Sequence, residues 1–317
     1  MPKTLMCDPQ LLDSALTDKV YVVTGANSGI GLVTSEQLAK QGGHIVMACR
    51  RLNAANEAIA DIITRVPSAK LEAMVLDLGS LDSVRAFADA FLKSHDRLDA
   101  LINNAGVMNT PQGTTIDGFE TQLGVNHLGH FLLTDLLLDV LKASAPSRVI
   151  NVSSCFHDKA QGRPGDIHFD DLHFTKTKYD GWTAYAQSKL ANLLHAKSLA
   201  KRLEGTGVAS VSVHPGWVRT NLAKHSMPLW VQNVVMRPIQ NLIGLIEPWE
   251  GAQTTLHCAI TDDLESGSFY SQFGIYREKE ARSGGWPMRS PNPVAHDDAV
   301  AERLWDVSKE ATGASLA

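Results

Sequence analysis

Cysteine is scarce in this chain and is not clustered. Four cysteines, Cys7, Cys49, Cys155 and Cys258, are spread over 317 residues, and no two of them form a Cys-x-x-Cys pair. Neither a disulfide framework nor a cysteine-bound zinc site is indicated, because their number and spacing are not typical of either. We therefore expect a protein of a reducing compartment, the cytoplasm, with no bound metal.

Long uninterrupted apolar runs are also missing. Residues 1–18 include Asp8 and Pro9 and hold no apolar stretch of the length that a signal peptide needs. The most lipophilic region, 227–246, is broken by Gln232, Asn233, Arg237, Pro238, Gln240 and Asn241. We predict neither a signal peptide nor a transmembrane segment and expect a soluble protein, while peripheral contact with a membrane stays open.

The chain lacks a dense block of basic residues as well. Its 29 basic and 34 acidic side chains give a net charge of -5, which disfavours nucleic acid as the main partner. Hydrophobic residues make up 44% of the chain, enough for one large core. We find no internal repeat and predict a single domain that binds a small-molecule substrate.

Short apolar runs alternate with helix-period stretches along most of the chain. This alternation predicts an α/β fold with a doubly wound, mostly parallel sheet, the Rossmann fold, covered by helices on both faces. A segment rich in glycine and proline, 284–293, is predicted as a loop before a last helix over 294–308. The predicted strands are 20–24, 44–49, 71–77, 100–103, 148–153, 209–214 and 268–271.

The first predicted strand runs into a glycine-rich turn at 24–31 and then into a helix. Gly25 can adopt backbone angles closed to other residues, Gly29 leaves no side chain before a phosphate, and Gly31 allows close helix packing. The helix N-terminus adds free N–H groups and partial positive charge, so the turn indicates a dinucleotide pyrophosphate site. The residues assigned to it are Gly25, Asn27, Ser28, Gly29, Ile30 and Gly31.

Two later motifs carry proton-transfer chemistry. Tyr185 and Lys189 lie four residues apart in a helix predicted over 185–203, so they share one face. The ammonium is expected to lower the pKa of the phenol, which suits proton exchange with an alcohol or carbonyl oxygen. The pair Ser153-Ser154 ends the fifth predicted strand and places a hydroxyl at the rim of the ligand crevice. Each motif alone also fits a purely structural role, and their combination favours the chemical one.

Together these motifs resemble the short-chain dehydrogenases/reductases, over about residues 18–308. Within that family the sequence is similar to the retinol dehydrogenase branch at 124–131, 187–192 and 304–308. That branch often carries an N-terminal membrane anchor, which is not expected here. The family resemblance rests on segments 24–31 and 103–106, Asn126, Ser154, Tyr185-x3-Lys189 and Pro215-Gly216.

The resemblance implies a role for each polar residue of the site. Tyr185 is the general acid or base, and Ser154 polarises the substrate carbonyl by a hydrogen bond. Lys189 holds the nicotinamide ribose, and Asn126 positions a water that links Lys189 to bulk solvent. Hydride then passes between the nicotinamide and the substrate carbon. The choice of Ser154 over Ser153 rests on the resemblance alone.

The second predicted strand ends in Arg50-Arg51, where an NAD site usually has an acid. A guanidinium matches the charge and shape of a ribose 2'-phosphate, which a carboxylate would repel, so NADP(H) is the predicted cofactor. The resemblance assigns further cofactor contacts to Asp77, Leu78, Asn104, Ala105, Gly106, Tyr185, Lys189, Pro215, Gly216, Val218 and Thr220.

Two segments are expected to surround the substrate. The loop 155–184 holds five aromatic side chains and can form one wall of a pocket. Residues 221–247 have apolar side chains at helix spacing with a break near Pro238, which predicts a two-piece helical lid or, equally, a dimer interface or core packing. Residues 1–17 and 311–317 are predicted as an extension and a tail around the catalytic domain, 18–310. The loop aromatics are Phe156, Phe169, Phe174, Tyr179 and Trp182.

Two other candidate clusters are interpreted as structural. Asp170-Asp171 has no companion acid motif, so we predict a solvated loop rather than paired catalytic carboxylates. His127 and His130 lie three residues apart without a third placed ligand, so a metal site is disfavoured.

The expected function is that of an NADP(H)-dependent oxidoreductase that interconverts a lipophilic aldehyde or ketone and its alcohol. A retinal-like compound or another lipid carbonyl would be the substrate, and the chain would act as a monomer or homodimer. One alternative is a hydroxysteroid dehydrogenase with a differently shaped pocket. The other is a catalytically silent NADPH-binding regulatory protein, against which the intact set of Ser154, Tyr185 and Lys189 argues.

Overall fold

An eight-stranded sheet forms the centre of the protein, in a computed structural model that describes residues 3–219 and 245–315. The described strands are β1 Val20–Thr24, β2 His44–Cys49, β3 Lys70–Val75, β4 Ala100–Asn103, β5 Ser147–Val152, β6 Lys159–Ala160, β7 Arg163–Pro164, β8 Val208–His214, β9 Trp217–Val218, β10 Leu245–Ile246, β11 Phe269–Ser271 and β12 Gly285–Met288.

Helices cover both faces of this sheet. The described α-helices are α1 Pro9–Leu12, α2 Gly29–Lys40, α3 Leu52–Arg65, α4 Leu81–Ser94, α5 Thr121–Leu123, α6 Gly129–Leu136, α7 Leu138–Ala143, α8 Gly181–Arg202, α9 Pro248–Ile260 and α10 Asp298–Thr312. A π-helical turn, Gly124–Leu128, joins α5 to α6, and short 3-10 turns occur at Cys155–His157, Glu280–Ser283 and Pro293–His296.

The strand order in the central sheet is β12-β11-β8-β5-β4-β1-β2-β3. Every pairing in it is parallel except that of β11 with β12. The predicted doubly wound α/β fold is therefore confirmed. The carboxyl ends of β1, β4, β5 and β8 meet at one edge, where the candidate site lies.

All seven predicted strands are present, with bounds that differ by up to two residues. The prediction of a loop over 284–293 was wrong in part, because β12 lies within it and pairs antiparallel with β11. Gly284, with a φ of +75°, lies at the turn that brings the chain back to the sheet. Pro287 is tolerated because an edge strand leaves one side of its backbone unpaired.

Side chains alternate between two cores along the buried strands. In β1, Val22 packs against one face of the sheet and Val23 against the other, and both are fully buried. Helices α2, α3 and α9 contribute to the core on the Val23 side, whereas α4, α6 and α7 contribute to the other. Burial of one such side chain stabilises the fold by roughly 1.5–3 kcal/mol, which makes the sheet a rigid base for its rim.

Two helices begin or end at other residues than predicted. The helix with Tyr185 begins at Gly181, one turn earlier, where the Asp180 side chain accepts a hydrogen bond from the Thr183 amide. The last helix, α10, begins at Asp298 behind the Asp297 cap and ends at Thr312. Thr220 and nearly all of the predicted lid, 221–244, lie outside the described residues. Among the helices of the described segments, none has the length and apolar character needed to cross a bilayer.

Candidate active site

The glycine turn after β1 has the backbone that the sequence predicts. Gly25 and Gly29 adopt φ angles of +66° and +57°, in the left-handed region that favours glycine. A Cβ added to Gly31 would lie 2.5 Å from the side-chain nitrogen Nδ2 of Asn104 and 2.7 Å from the Gly25 carbonyl oxygen. The turn therefore packs tightly against the loop after β4, and larger residues would displace it.

Within the part of the chain that the structure describes, no side chain caps the start of α2. Ser28 is the N-cap residue, but its side chain makes no capping hydrogen bond, and the first turn of α2 contains no acidic residue. The first N–H groups of a helix have no partners within the helix and carry partial positive charge. The charge of a pyrophosphate fits this helix N-terminus.

Thr24 joins the turn to the next strand of the site. Its Oγ1 accepts hydrogen bonds from the amides of Asn104 and Ala105, both at 2.9 Å, and the Asn104 side chain donates to the Thr24 carbonyl at 2.8 Å. His130 Nε2 lies 2.9 Å from the same Oγ1, and His130 Nδ1 lies 3.0 Å from the Asn126 carbonyl. His130 thus links the glycine turn to Asn126.

His127 also has a partner inside the core, since its Nε2 lies 2.8 Å from Ser308 Oγ on α10. Burial lowers the pKa of His127 to about 4 and that of His130 to about 3, so both rings are neutral at physiological pH. These contacts fit the predicted structural role of the two histidines.

The arginine pair lies beside the turn. Arg50 and Arg51 follow β2 and are exposed, and the neighbouring Ala48 carbonyl accepts a hydrogen bond from the Gly25 amide at 2.8 Å. Within residues 3–219 and 245–315, neither guanidinium has an ion-pair partner. Both side chains are therefore available to an anionic group held near the turn.

The structure brings the three predicted proton-transfer residues together at the end of β5. Tyr185, Lys189 and Ser154 are 3%, 3% and 7% exposed. Lys189 Nζ lies 5.7 Å from the centre of the Tyr185 ring and donates a hydrogen bond to the Val152 carbonyl at 2.8 Å. The phenol is therefore buried rather than exposed to solvent.

The geometry also separates the two adjacent serines. Ser153 Oγ donates to the Lys189 carbonyl at 2.7 Å, so this hydroxyl ties β5 to α8. Ser154 Oγ accepts a hydrogen bond from the Phe156 amide at 3.2 Å and lies close enough to the Tyr185 phenol to lower the pKa of that group. The structure thus supplies a physical reason for assigning the reactive hydroxyl to Ser154, which the sequence alone did not.

The pKa of the phenol differs from the expected direction. Burial raises the pKa of Tyr185 well above its ordinary value, and the hydrogen bond from Ser154 opposes this rise only in part. Burial also lowers the pKa of Lys189 to about 7, which weakens the positive charge that was expected to acidify the phenol. The protein alone therefore keeps Tyr185 protonated, the form that donates a proton.

Asn126 lies in the π-helical turn between α5 and α6, a geometry often found at functional sites. Its Oδ1 accepts from the Val107 amide at 2.8 Å, while its Nδ2 donates to the Val107 carbonyl and to Ser188 Oγ, both at 2.9 Å. A Cβ on Gly106 would lie 3.1 Å from Asn126 Oδ1 and 3.5 Å from Lys189 Nζ. These contacts make Asn126 a support of the loop after β4, and its water-positioning role stays a prediction.

The remaining predicted cofactor contacts lie at the same edge or outside the described residues. Asp77 follows β3, and its Oδ1 accepts from the Gly79 amide at 2.9 Å, next to buried Leu78. After β8 the chain passes through Pro215 and Gly216, which has a φ of +93°, into β9. Val218 in β9 pairs with Ile246 in β10. Thr220 falls outside the described residues.

The aromatic side chains of the loop 155–184 divide into two groups. Phe156 and Trp182 contact each other at 5.2 Å between ring centres and lie 6.0 and 6.5 Å from the Tyr185 ring. Phe169 instead packs under the Arg303 guanidinium, and the Tyr179 hydroxyl accepts a hydrogen bond from the Gln122 side chain at 3.0 Å. Phe156 and Trp182 therefore lie beside the phenol, whereas Phe169 and Tyr179 anchor the loop.

Loop residues Asp170 and Asp171 do not form a carboxylate pair at the site. Asp170 is fully exposed, and Asp171 accepts hydrogen bonds from amides of its own loop, including those of Thr175 and Thr177. This arrangement agrees with the predicted solvated loop.

Sequence reasoning missed the residues that hold Ser154 in place. His157 Nδ1 lies 2.5 Å from the Ser154 carbonyl, and its Nε2 lies 2.6 Å from Ser290 Oγ. The Asn292 side chain donates to the His157 carbonyl at 2.6 Å and to the Gly165 carbonyl at 3.0 Å. Partners 133 residues apart leave no local pattern, so only the fold reveals them.

Comparisons with known proteins agree with this arrangement. Residues 19–163 match the short chain dehydrogenase family. The chain is 45% identical to retinol dehydrogenase 12 of Bos taurus over 95% of this chain and 88% of that protein. It is 42% identical to retinol dehydrogenase 13 of Homo sapiens over 95% of this chain and 86% of that protein.

Solved structures give the same picture. An uncharacterized protein from Mycobacterium Paratuberculosis shares 35% identity with a TM-score of 0.74, covering 96% of this chain and 97% of that chain. The NADP active-site complex of Pseudomonas aeruginosa RhlG shares 25% identity with a TM-score of 0.63, covering 81% of this chain and 95% of that chain.

Proposed function

The chain belongs to the short-chain dehydrogenase/reductase family, in its retinol dehydrogenase-like branch, and is an oxidoreductase acting on alcohol and carbonyl groups; from this premise we propose that it uses NADP(H) to interconvert a lipophilic carbonyl compound and its alcohol. The observation that carries the proposal is the buried set of Ser154, Tyr185 and Lys189, which lies against the loop after β4 that also packs on the glycine turn. A protein that only bound a dinucleotide would have no need for a protonated phenol at this point.

Residues of the first half of the chain would hold the cofactor. The N–H groups at the start of α2 suit the pyrophosphate, and Arg50 and Arg51 suit a 2'-phosphate. When bound, the nicotinamide supplies or accepts the hydride. The NADP complex of RhlG supports this choice of dinucleotide.

The proton transfer falls to the residues at the end of β5 and in α8. In the reducing direction, Tyr185 donates its proton to the substrate oxygen, and in the oxidising direction it takes the proton back. Ser154 donates a hydrogen bond to the same oxygen and stabilises the charge that develops on it. Lys189 and Asn126 would complete the site as a ribose ligand and as a link to solvent.

The lipophilic substrate is inferred from the aromatic side chains. Phe156 and Trp182 form a partly exposed apolar surface against the edge of the Tyr185 ring. Relatives that share 42–45% identity carry the name retinol dehydrogenase, which supports a long apolar carbonyl compound. A retinal-like aldehyde is therefore our first candidate.

The experiment is a measurement of NADPH consumption with retinal, medium-chain aldehydes, steroid ketones and quinones. We expect turnover of apolar aldehydes by the wild type and a loss of about 100-fold or more in Tyr185→Phe. Tyr270→Phe is the matched control, because it removes a buried phenol of β11 that accepts a hydrogen bond from the Glu265 amide and belongs to neither half of the site. Full activity of Tyr185→Phe would contradict the proposal. NADPH binding without turnover of any carbonyl would favour a silent binding protein instead.

A further inference from the structure

A cluster of metal-ligating side chains lies at the end of the sheet opposite the active site. His44 is the first residue of β2, Glu72 lies in β3, and His95 directly follows α4. One ligand atom from each residue, the Nε2 atoms of the histidines and a carboxylate oxygen, lies within 4.8 Å of the other two. Since β2 spans about 20 Å between His44 and Arg50, the cluster is separate from the cofactor site.

The sheet register explains why these residues converge. In the parallel pairing of β2 with β3, His44 is opposite Lys70, so Glu72 is the diagonal neighbour of His44 on the same face. The last turn of α4 brings His95 over this face, where the two histidine rings lie 5.4 Å apart between centres. The scattered positions 44, 72 and 95 leave no spacing motif, so the sequence predicted no metal.

The position of the His95 ring is fixed by its own helix. His95 stacks on Phe91 at 4.6 Å between ring centres, and its Nδ1 lies 3.3 Å from the Phe91 carbonyl. A proton on Nδ1 would use this carbonyl and leave a lone pair on Nε2. Metal-binding histidines commonly have this arrangement, in which the second ring nitrogen donates to a backbone carbonyl.

Glu72 supplies the second independent observation. Its Oε1 lies 2.7 Å from His95 Nε2 and 3.7 Å from His44 Nε2. Oε1 is buried and faces the Nε2 atoms of both histidines, so one carboxylate oxygen already lies at ion-pair distance from each ring. A divalent cation bound by these three side chains would take the place of the ring proton that otherwise pairs His95 with this carboxylate.

We propose that His44, Glu72 and His95 bind one divalent transition-metal ion, Zn²⁺ by preference, with a fourth position open to solvent. Two imidazoles and one carboxylate form a known set of protein ligands for zinc. Metal–ligand bonds of about 2.0–2.2 Å place tetrahedral ligand atoms about 3.4 Å apart, and the contacts of 2.7 and 3.7 Å bracket that separation.

The bound ion would connect three elements near the β3 edge of the sheet. It would tie the start of β2 and the middle of β3 to the end of α4, and so stabilise this edge against opening. Lys70 adds an opposing positive charge beside His44. Because this charge opposes the binding of a cation, we expect the affinity to depend on all three ligands and to fall when any one of them is removed.

The test is a calorimetric titration of the chelator-treated full chain with Zn²⁺ alone. We expect one ion per wild-type chain and a loss of affinity of at least about tenfold in Glu72→Gln and in His95→Gln. His296→Gln is the control, because it removes an exposed histidine from another surface and should bind zinc as the wild type does.

Thermal unfolding and Co²⁺ spectra provide readouts that do not depend on turnover. Zn²⁺ should raise the Tm of the wild type and not that of Glu72→Gln, and Co²⁺ should give visible absorption bands only with the three ligands intact. Normal NADPH turnover by the variants would show that they are folded. No zinc binding by the wild type, or equal binding by Glu72→Gln, would overturn the proposal.

Discussion

The cofactor half and the proton-transfer half of the site are built in different ways. In the cofactor half, the glycine turn, Thr24 and Asn104 form short contacts through backbone atoms, and the two arginines lie exposed. In the proton-transfer half, reactive side chains are buried, and Ser154 is held by the nearby His157, which Ser290 and Asn292 fix from a distant part of the chain.

This difference predicts two kinds of mutational effect. Changes in the cofactor half should alter which dinucleotide binds and how tightly, because they act on an open surface. Changes in the proton-transfer half should act on kcat, because they alter the position or the presence of one reacting group.

The largest effect is expected from Ser154→Ala compared with Ser153→Ala. Loss of the Ser154 hydroxyl removes a hydrogen bond to the developing charge and should lower kcat by about 100-fold or more, with little change in the KM for NADPH. Loss of the Ser153 hydroxyl removes its bond to the Lys189 carbonyl and should lower stability by about 1 kcal/mol. Steady-state kinetics measure kcat, and urea unfolding measures stability. Equal losses of kcat in the two variants would show that the two serines are misassigned.

A smaller effect is expected from Arg50→Asp in the cofactor half. The carboxylate should repel a 2'-phosphate and accept a hydrogen bond from a ribose 2'-hydroxyl. We therefore expect the ratio of kcat/KM for NADPH over NADH to shift by about tenfold or more toward NADH. Lys40→Asp makes the same change of charge at the far end of α2 and should leave the ratio unchanged. An unaltered ratio in Arg50→Asp would place the phosphate elsewhere.

Ser290→Ala tests whether remote residues set the position of Ser154. The substitution leaves His157 Nε2 without its partner, and we expect kcat to fall by a few fold at an unchanged KM for NADPH, with about 1 kcal/mol lost in stability. Ser290→Thr keeps the hydroxyl and should restore kcat. A loss of stability with full kcat, measured in the same two assays, would mean that the contact is structural only.

The weakest expected effect concerns His130, which joins the two halves. Burial lowers its folded pKa to about 3, whereas the unfolded chain binds the proton near the ordinary value of 6.5. Between these values the unfolded state holds more protons, so stability falls as the pH decreases through this window. His130→Gln should reduce the slope of the unfolding free energy between pH 6.5 and pH 4.5. An unchanged slope would mean that the other buried histidines cause this pH dependence of the unfolding free energy.

Much of the cofactor half and of the fold could be predicted because their signals are local. The strand run 20–24, the positive φ at Gly25 and the uncapped start of α2 all follow from a few adjacent residues. The strand β12 was missed because the glycine and proline in it are typical of loops, and only pairing with β11 makes it a strand.

The proton-transfer half was predicted only in part. The motifs identified Ser154, Tyr185 and Lys189, but not the direction of the Tyr185 pKa, because burial depends on the whole fold. The support from His157 and Ser290 was also out of reach, since nothing in either segment marks the other as its partner.

The antiparallel strand β12 also affects whether a neighbouring molecule can extend the central sheet at this edge. It is the outermost strand, it carries an irregular register against β11, and its exposed Pro287 offers no N–H group. A neighbouring chain that tried to extend the sheet here would find an interrupted row of donors. We therefore expect that strands of neighbouring molecules do not add to this edge of the sheet, even at high protein concentration.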